Sequence, residues 1–364
     1  MIDRVNNDMN IVLTASFDKG IFCNGLQQNI VFLAEMLQDM GYDPVICINH
    51  EKSKCIDAPN NLLIIDENDL INLENIDYLL QTGWVVGNKV VDHLKSKNKS
   101  MQNVHVHYGN RMLADVEQAS WDTISVGNYS IDQVWISPHY EISLNYFKTF
   151  YHTEKVFVLP YIWSPKYIQV HEMIWNKAGF SCKYNPRDSK NIAIVEPNLN
   201  MTKSCVPAIM LVEEYYNSYP QVFDKMTVYC SSNLSGKKYF RSLMWGLNLI
   251  KDQKVSFDGR QKISKIFSQE SNVVVSHQLL NALNYTYLEA LYFNIPLVHN
   301  SEYIKEAGYY YPDYDTKTGA KALNDALSFH DSNLENYEKI AKRIIDRYSP
   351  NNEQVRKKYK DLFE

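Results

Sequence analysis

Short apolar runs alternate with amphipathic stretches along this chain, and the alternation occurs in two separate blocks. In the first block, an apolar run at residues 11–16 precedes a stretch at 26–40 whose apolar residues have helical spacing. The same alternation restarts at residue 192, after a segment that lacks clean periodicity. Strands that alternate with helices require crossover connections and hence a mostly parallel sheet. The pattern therefore predicts an α/β protein with two Rossmann-like domains.

The predicted domain boundaries follow from this pattern. A length of 364 residues suffices for two domains of ordinary size, each with its own core. We predict an N-terminal domain, an interdomain connection, a second domain and a charged, helical C-terminal segment, at residues 1–160, 161–190, 191–335 and 336–364. Two domains of this class are expected to face each other across a cleft.

Composition excludes several other classes of protein. Hydrophobic residues make up 45% of the chain, and Gly and Pro contribute 13 and 12 residues, which is typical of ordered proteins. No apolar run approaches the roughly 18 residues of a membrane-spanning helix, and no secretory signal is predicted. The six cysteines form no Cys-x-x-Cys pair, which argues against a zinc site or a disulfide framework and favours the reducing cytoplasm.

The charge is distributed unevenly around a net value of −5. Residues 1–160 contain 11 Lys and Arg against 20 Asp and Glu, whereas residues 161–364 contain 26 against 22. We therefore expect the two halves to meet different partners.

A polar turn that contains glycine follows the first predicted strand. Glycine lets the backbone approach a ligand there, and the dipole of the next helix favours an anion or a sugar oxygen. The candidate ligand-binding residues are Asp18, Lys19, Gly20, Asn24 and Gly25. The turn lacks Gly-x-Gly-x-x-Gly, so the dinucleotide-binding fingerprint is absent. A turn without a ligand-binding function is the alternative.

Two histidines alternate near the carboxyl end of another predicted strand. His105 and His107 share one face of this strand, and Gly109 and Asn110 follow directly. Open α/β sheets bind ligands at this end of their strands, which makes His107 a candidate cleft residue. Metal ligation and a purely structural role are the alternatives, although no third ligand stands at a suitable spacing.

The most informative segment is residues 273–301. A buried strand ends there at polar residues, and a loop leads into a helix; the candidate ligand-binding residues are His277, Asn281, Asn284, Tyr285 and Glu289. The amino terminus of that helix offers free N–H groups that suit a diphosphate. Glu289 lies among apolar neighbours, where a carboxylate needs a partner, and it can accept hydrogen bonds from two adjacent hydroxyls. A solvated surface glutamate is the alternative.

This segment resembles the donor site of the GT-B glycosyltransferases. The shared pattern is a strand, a polar loop, Leu-Glu-Ala and then Pro-Leu-Val. The string SHQxxNxLNYxYLEALYxxxPLVHNS is similar to a little-characterised, domain-of-unknown-function family of proposed glycosyltransferases from bacteria and their viruses. The resemblance implies two Rossmann-like domains of GT-B type, with C-terminal helices that cross back to the first domain. It implies an acceptor on the first domain and a nucleotide sugar on the second.

The resemblance also implies roles for individual residues. Glu289 would hold the donor ribose, whereas Asn281 stands where the better-known retaining families have a first glutamate. Lys203, after the first strand of the second domain, would bind the diphosphate. Arg260 is a second basic candidate, with a plain surface charge as the alternative.

The resemblance therefore implies a hexosyl- or pentosyltransferase that depends on a nucleotide sugar. Lys203, Arg260 and the N–H groups of residues 283–285 would stabilise the leaving diphosphate. We expect no metal and no cofactor besides the nucleotide sugar as co-substrate, since the one Asp-x-Asp triplet, 313–315, lies in an aromatic loop. A retaining enzyme needs no dedicated base, because the leaving phosphate takes the acceptor proton. An inverting enzyme would use Asp18 or His107.

The acceptor is open between two classes. A glycan or small molecule suits the acidic first half better than a nucleic acid, whose phosphates favour a basic surface. The alternative is a hydroxymethylated base in viral DNA, with the host cytoplasm as the location. A non-catalytic sugar-binding or scaffold protein, and an epimerase or phosphorylase, are further alternatives from other classes.

Overall fold

The structure is a computed structural model that describes residues 9–22, 25–121, 130–186, 188–220 and 222–364. The chain divides into two compact units. The first unit contains Met1–Ser164 together with Tyr348–Glu364, and the second contains Pro165–Arg347. The two units are described separately below.

The strands and helices alternate along the described residues as the sequence pattern predicts. The strands are β1 (Asn10–Ala15), β2 (Asp43–Ile48), β3 (Leu63–Asp66), β4 (Tyr78–Gln81), β5 (Gln102–His107), β6 (Gln133–Ile136), β7 (Val156–Val158), β8 (Lys190–Ile194), β9 (Phe223–Val228), β10 (Val255–Phe257), β11 (Val273–Val275), β12 (Leu297–His299) and β13 (Tyr309–Tyr310). The helices are α1 (Gly25–Asp39), α2 (Glu67–Leu70), α3 (Asn88–Lys97), α4 (Arg111–Trp121), α5 (Leu144–Tyr151), α6 (Lys166–Lys177), α7 (Cys205–Ser218), α8 (Ser232–Ser235), α9 (Lys238–Met244), α10 (Asn248–Lys251), α11 (Ile263–Lys265), α12 (Tyr285–Tyr292), α13 (Thr316–Arg347) and α14 (Glu353–Phe363).

Each unit is built on one parallel sheet. The first sheet has the strand order β3-β2-β1-β4-β5-β6-β7, and the second has the order β10-β9-β8-β11-β12-β13. All strand pairs in both sheets are parallel. The order reverses between β1 and β4 in one sheet and between β8 and β11 in the other, as in Rossmann folds. The predicted α/β class with two Rossmann-like domains is therefore confirmed.

The central strands are apolar because helices cover both faces of each sheet. Every residue of β11 is buried, and so is every residue of β1 after Asn10. Helix α1 packs through the apolar face that its spacing predicts, which contains Ile30, Leu33, Ala34 and Leu37. In the second unit, α7 and α13 contribute most of the helical residues of the core.

The C-terminal segment belongs to the first unit, as the resemblance implies. The Tyr359 hydroxyl donates to the Pro160 carbonyl at 2.9 Å. Phe363 packs edge-on against Tyr78 and Trp135, with ring centroids 4.9 Å and 5.4 Å apart. The Tyr78 hydroxyl also donates to the Phe363 carbonyl at 3.1 Å. Helix α14 is thereby tied to the sheet of the first unit by aromatic packing and hydrogen bonds.

Two of the predicted domain boundaries differ from the compact units. Residue 335 lies inside α13, and the part of α13 beyond it keeps Tyr337, Ala341 and Ile344 buried in the second unit. The segment at 161–190 is not only a connection, because it contains α6, of which only Ile168 is buried. Among the described residues, no helix is both long enough and apolar enough to span a membrane.

Candidate functional site

Polar side chains gather in the second unit where β8, β11 and β12 end. Glu196 follows β8, while Ser276, His277 and Gln278 follow β11 and Asn300 follows β12. Because the strand order reverses between β8 and β11, this edge is the place where open α/β sheets bind ligands. The segment that carries most of the predicted binding residues therefore lies at the topological switch point.

A buried carboxylate organises this edge. Glu196 is only 2% exposed, and the Ser276 hydroxyl donates to one of its oxygens. The side-chain amide of Gln278 donates to the other oxygen at 3.0 Å, and Asn281 donates to the Gln278 side-chain oxygen. This chain of hydrogen bonds ties the loop after β11 to the end of β8. Asn281 is thus a member of the loop's internal network.

One predicted cation, Lys203, interacts with this carboxylate, and the second, Arg260, interacts with Lys203. Burial raises the pKa of Glu196 to about 7, although the Ser276 hydrogen bond and the Lys203 charge act against that rise. Burial lowers the pKa of Lys203, whereas the negative charge of Glu196 raises it and Arg260 lowers it again. Lys203 and Arg260 are therefore close enough to influence each other. Among the described residues, neither cation forms an ion pair.

Lys203 directly precedes the amino terminus of α7. The Ser204 hydroxyl caps this helix by accepting from the Val206 N–H at 3.3 Å. Asn198, in the left-handed backbone region with φ of 54°, accepts from the Cys205 N–H at 2.8 Å. The loop thereby holds a cation next to the positive end of a helix, an arrangement that suits a phosphate group.

The amino terminus of α12 lies in the segment 273–301. Asn284 caps it by accepting from the Thr286 N–H at 3.2 Å, and Tyr285 is buried. Glu289 lies one turn further along the helix and is half-buried, and burial raises its pKa to about 7. Among the described residues, no group donates a hydrogen bond to the Glu289 carboxylate. A desolvated carboxylate in this state gains from a ligand that brings hydroxyl donors.

His277 offers a second unsatisfied polar atom. It is 3% exposed, and its Nδ1 lies 2.9 Å from the Tyr311 hydroxyl, which itself donates to the Ser276 carbonyl at 3.2 Å. Because the Tyr311 hydroxyl donates its hydrogen to that carbonyl, its oxygen accepts a hydrogen bond from His277 Nδ1–H. The other ring nitrogen, Nε2, then carries a lone pair that can accept. Nε2 is buried, and it has no hydrogen-bond partner in the part of the chain that the structure describes. Burial lowers the pKa of His277 to about 4, so the ring is neutral at pH 7.

The aromatic loop at 313–315 has a structural role. Tyr314 packs on the His277 ring with centroids 4.2 Å apart. Asp315 accepts from the N–H groups of Lys317 and Thr318, at 3.0 and 3.1 Å, and so caps α13. Across the described residues, no group of three or more His, Cys, Asp or Glu side chains is arranged to hold a metal ion.

The predicted acceptor-side turn lies after β1 in the first unit. Asp18 and Lys19 are exposed, and the Ser16 hydroxyl donates to Asp18 at 2.8 Å, which lowers the pKa of that carboxyl. Gly20 has φ of 78°, a conformation that other residues rarely adopt. Gly25 begins α1, while Asn24 lies outside the described residues.

The end of β4 approaches this turn closely. The Thr14 hydroxyl oxygen accepts from the N–H groups of Thr82, Gly83 and Trp84 at 2.9, 3.1 and 3.2 Å. A Cβ atom at Gly83 would stand 2.8 Å from the Ala15 Cα, so this backbone contact requires glycine. The contact fixes the switch point of the first sheet, and our sequence analysis did not identify it.

His107 is packed among aromatic rings. It stacks on Phe147 with centroids 5.1 Å apart, and its Nε2 lies 3.2 Å from the Tyr151 hydroxyl. Burial, followed by the charges of His105 and Arg111, lowers the pKa of His107 to about 3. A ring that is neutral at physiological pH and stacked on α5 is a weak base, so these contacts favour a packing role.

Sequence reasoning therefore missed the central residue of the site. Glu196 is not among the binding-site residues that the sequence predicts. The available signal was an acidic residue directly after the apolar run 192–195, where a buried charge requires partners. Ser276 and Gln278, which supply those partners, were likewise not singled out.

Solved structures with a similar fold include several sugar-transfer enzymes. The catalytic domain of starch synthase IV from Arabidopsis thaliana, bound to ADP and acarbose, has a TM-score of 0.63 at 10% identity and covers 98% of each chain. An α-glucosyltransferase with UDP and a 13-mer DNA containing an HMU base has a TM-score of 0.58 at 10% identity, covering 98% of this chain and 100% of that one. S. aureus TarM, in complex with fondaparinux, α-GlcNAc-glycerol and UDP, has a TM-score of 0.50 at 14% identity over 79% of this chain. The match spans 55% of the TarM chain.

At these identities the similarity shows the fold, which is that of the GT-B glycosyltransferases with two Rossmann-like domains. A search of curated proteins found no match. A family model described as "Protein of unknown function (DUF2827)" matches residues 11–363. The chain therefore belongs to the DUF2827 family.

Proposed function

We propose that this protein is a glycosyltransferase that moves a sugar from a nucleotide-sugar donor to an acceptor hydroxyl. The observation that carries the proposal is the set of unsatisfied polar groups at the carboxyl edge of the second sheet. These groups are the Lys203 cation beside the amino terminus of α7, the Glu289 carboxylate and the buried Nε2 of His277. A diphosphate linked to a ribose and a sugar brings a matching partner for each of them.

Each group suits one part of the donor. Lys203, Arg260 and the helix amino termini suit the diphosphate, because they stabilise the charge that develops as the sugar–phosphate bond breaks. Glu289 can accept hydrogen bonds from two neighbouring ribose hydroxyls. His277 Nε2 can accept one from a sugar hydroxyl. Glu196 holds the loop that presents them, and its charge opposes the lowering of the Lys203 pKa that burial causes.

The retaining, metal-independent route fits these residues best. In that route the leaving phosphate takes the acceptor proton, and no side chain of the first unit needs to act as a base. The low basicity of His107 supports this choice. Asp18 is exposed and ionised, and it is the candidate base for an inverting reaction.

The acceptor that we favour is a glycan or a small molecule. The first 160 residues carry nine more acidic than basic residues, which opposes binding of a phosphate backbone. Transfer to a hydroxymethylated DNA base is the second candidate, because one similar structure contains a 13-mer DNA with an HMU base. The free thiols of the five described cysteines support a reducing, cytoplasmic compartment.

The test is thermal melting with UDP, GDP, CDP, ADP and their common sugar conjugates. A nucleotide at about 100 times its Kd should add roughly 2.7 kcal/mol, which raises the melting temperature by several degrees. Glu289→Gln and Lys203→Met should each abolish most of that rise. The matched controls are Glu335→Gln and Lys321→Met, both exposed on α13, and these should keep the full rise.

Melting of each variant without nucleotide separates a loss of binding from a loss of folding. The nucleotide that stabilises the protein is then supplied as its sugar conjugate, with candidate acceptors, while release of the nucleoside diphosphate is followed. If no nucleotide stabilises the wild-type protein, the proposal is wrong. Binding that survives both Glu289→Gln and Lys203→Met would place the donor elsewhere.

A further inference from the structure

A short helix of the second unit exposes large apolar side chains that nothing else in the described structure covers. Trp245, directly after α9, is 81% exposed, and Tyr239 within α9 is 83% exposed. Leu243, one turn after Tyr239, is 38% exposed. Clustered exposure of this kind commonly marks an interaction surface. We call these three residues, with Lys237, Lys238 and Arg241, the α9 face.

The side of α9 opposite the α9 face packs into the core of the second unit. Phe240 and Met244, on the opposite side of the helix, are 6% and 3% exposed and belong to the core of the second unit. Phe240 packs edge-on against Phe257 of β10 with ring centroids 5.5 Å apart. The outward direction of Tyr239, Leu243 and Trp245 is therefore fixed by core packing.

Positive charge surrounds these apolar side chains. Lys237, Lys238 and Arg241 are exposed, and they form no ion pair or hydrogen bond through their side chains with any described residue. The sequence contains no Asp or Glu from residue 225 to residue 251. Residues 225–269 contain nine Lys and Arg against two Asp and Glu, in a chain whose net charge is −5. The α9 face is thus a local cationic surface on an acidic protein.

From these observations we propose that the α9 face binds the surface of an anionic lipid bilayer. Trp and Tyr rings settle at the level of the lipid headgroups, and Leu243 enters the boundary of the acyl chains. Lys and Arg lay their stems along the apolar surface and keep their charges at the lipid phosphates. The helical spacing suits this contact. Tyr239 and Leu243 are four residues apart and lie on one flank of α9, while Arg241 and Trp245 are also four residues apart and lie on the other flank.

A nucleic acid is the other polyanion that basic and aromatic residues bind. Single strands bind along a groove in which successive bases stack on aromatic rings. The α9 face is instead the outward side of a helix, and Leu243 has no role in stacking. A bilayer can contact all three classes of side chain on this face, which are aromatic, aliphatic and basic. The proposal is independent of the sugar-transfer activity.

The experiment is vesicle flotation with the full-length protein. Vesicles of phosphatidylcholine alone are compared with vesicles that also contain phosphatidylglycerol, at low and at physiological salt. The wild-type protein should float with the anionic vesicles and stay unbound with the neutral ones. Each Lys or Arg near an anionic surface changes binding about fivefold, so Lys237→Gln/Lys238→Gln/Arg241→Gln should weaken it about a hundredfold.

The apolar contribution needs a separate variant. Tyr239→Ser/Trp245→Ser keeps the charge and should weaken binding on the order of tenfold, since binding scales with buried apolar area. The charge control is Lys339→Gln/Lys342→Gln/Arg343→Gln, which removes three exposed cations from α13. The apolar control is Phe329→Ser, which removes an aromatic ring that is 57% exposed. Both controls should bind like the wild-type protein. All substituted side chains are exposed, and thermal melting checks that each variant folds.

Three results would overturn the proposal. The first is absence of binding to anionic vesicles even at low salt. The second is an equal loss of binding in the α13 charge control, which would indicate general electrostatic adsorption. The third is tight binding of labelled single-stranded or duplex DNA that depends on the α9 face while vesicles stay unbound, which would assign the surface to nucleic acid.

Discussion

Glu196 makes a pH-dependent contribution to stability that a single substitution removes. The pKa of this carboxyl is about 7 in the folded protein, because of burial, against an ordinary value of 4.5. The folded state therefore holds the proton more tightly than the unfolded state does. The stabilisation is complete below about pH 4.5 and is lost as the pH rises through 7. Glu196→Gln lacks the titrating group but keeps an oxygen that can accept from Ser276.

The size of the effect follows from the two pKa values. A difference of 2.5 pH units corresponds to at most about 3 kcal/mol, of which about 2.5 kcal/mol disappears between pH 5 and pH 8. The free energy of unfolding of the wild-type protein should fall by that amount relative to Glu196→Gln over this range. An effect of this size moves the melting temperature of the second unit by several degrees.

The assay is urea unfolding of the wild-type protein, Glu196→Gln and the exposed control Glu335→Gln at pH 5, 6, 7 and 8. The control should follow the wild-type pH profile, because Glu335 is exposed on α13 and takes no part in the hydrogen bonds around Glu196. The difference between Glu196→Gln and the wild-type protein should grow as the pH rises. If the two profiles run parallel, Glu196 is not a desolvated carboxyl, and the network described around it is wrong.

Three further predictions concern other parts of the chain. Phe363→Ala removes the ring that packs on Tyr78 and Trp135, and should cost about 3 to 5 kcal/mol of stability in urea unfolding of the first unit; no loss would contradict the docking of α14. Asp315→Ala removes the cap of α13 and should cost about 1 kcal/mol, measured by thermal melting against Glu335→Ala, an exposed position on the same helix, as a control. His107→Phe keeps an aromatic ring between β5 and α5, so turnover and its pH profile should match the wild-type protein, and a large loss of turnover would restore His107 as a catalytic base.

Much of the architecture was predictable from the chain alone. The apolar runs of the central strands and the helical spacing of α1 predict a parallel sheet covered by helices, and both sheets have this form. The return of the C-terminal segment to the first domain followed from the resemblance, not from periodicity. Helix α6 was missed because Pro165 and Gly179 flank it, and such residues favour a connection between domains.

The candidate site was predictable only in part. His277 and Glu289 stand out in sequence because they are polar residues next to apolar runs, and such residues are either solvated or functional. Lys203 followed from the resemblance alone. Their mutual placement depends on strand order. Glu196 and Ser276 are 80 residues apart in sequence and meet because β8 and β11 are neighbours in the sheet. No local pattern encodes that pairing.

The sequence by itself determined the class of fold and the type of each element, because hydrophobic periodicity follows from local geometry. Tertiary structure alone decided which polar groups are paired and which are left unsatisfied. Asn281 is taken up by the loop network and His107 by aromatic packing, while Glu289 and His277 Nε2 are left unsatisfied. The physical reason is that a buried polar group's energy depends on partners contributed by distant segments, and only the folded chain brings those partners together.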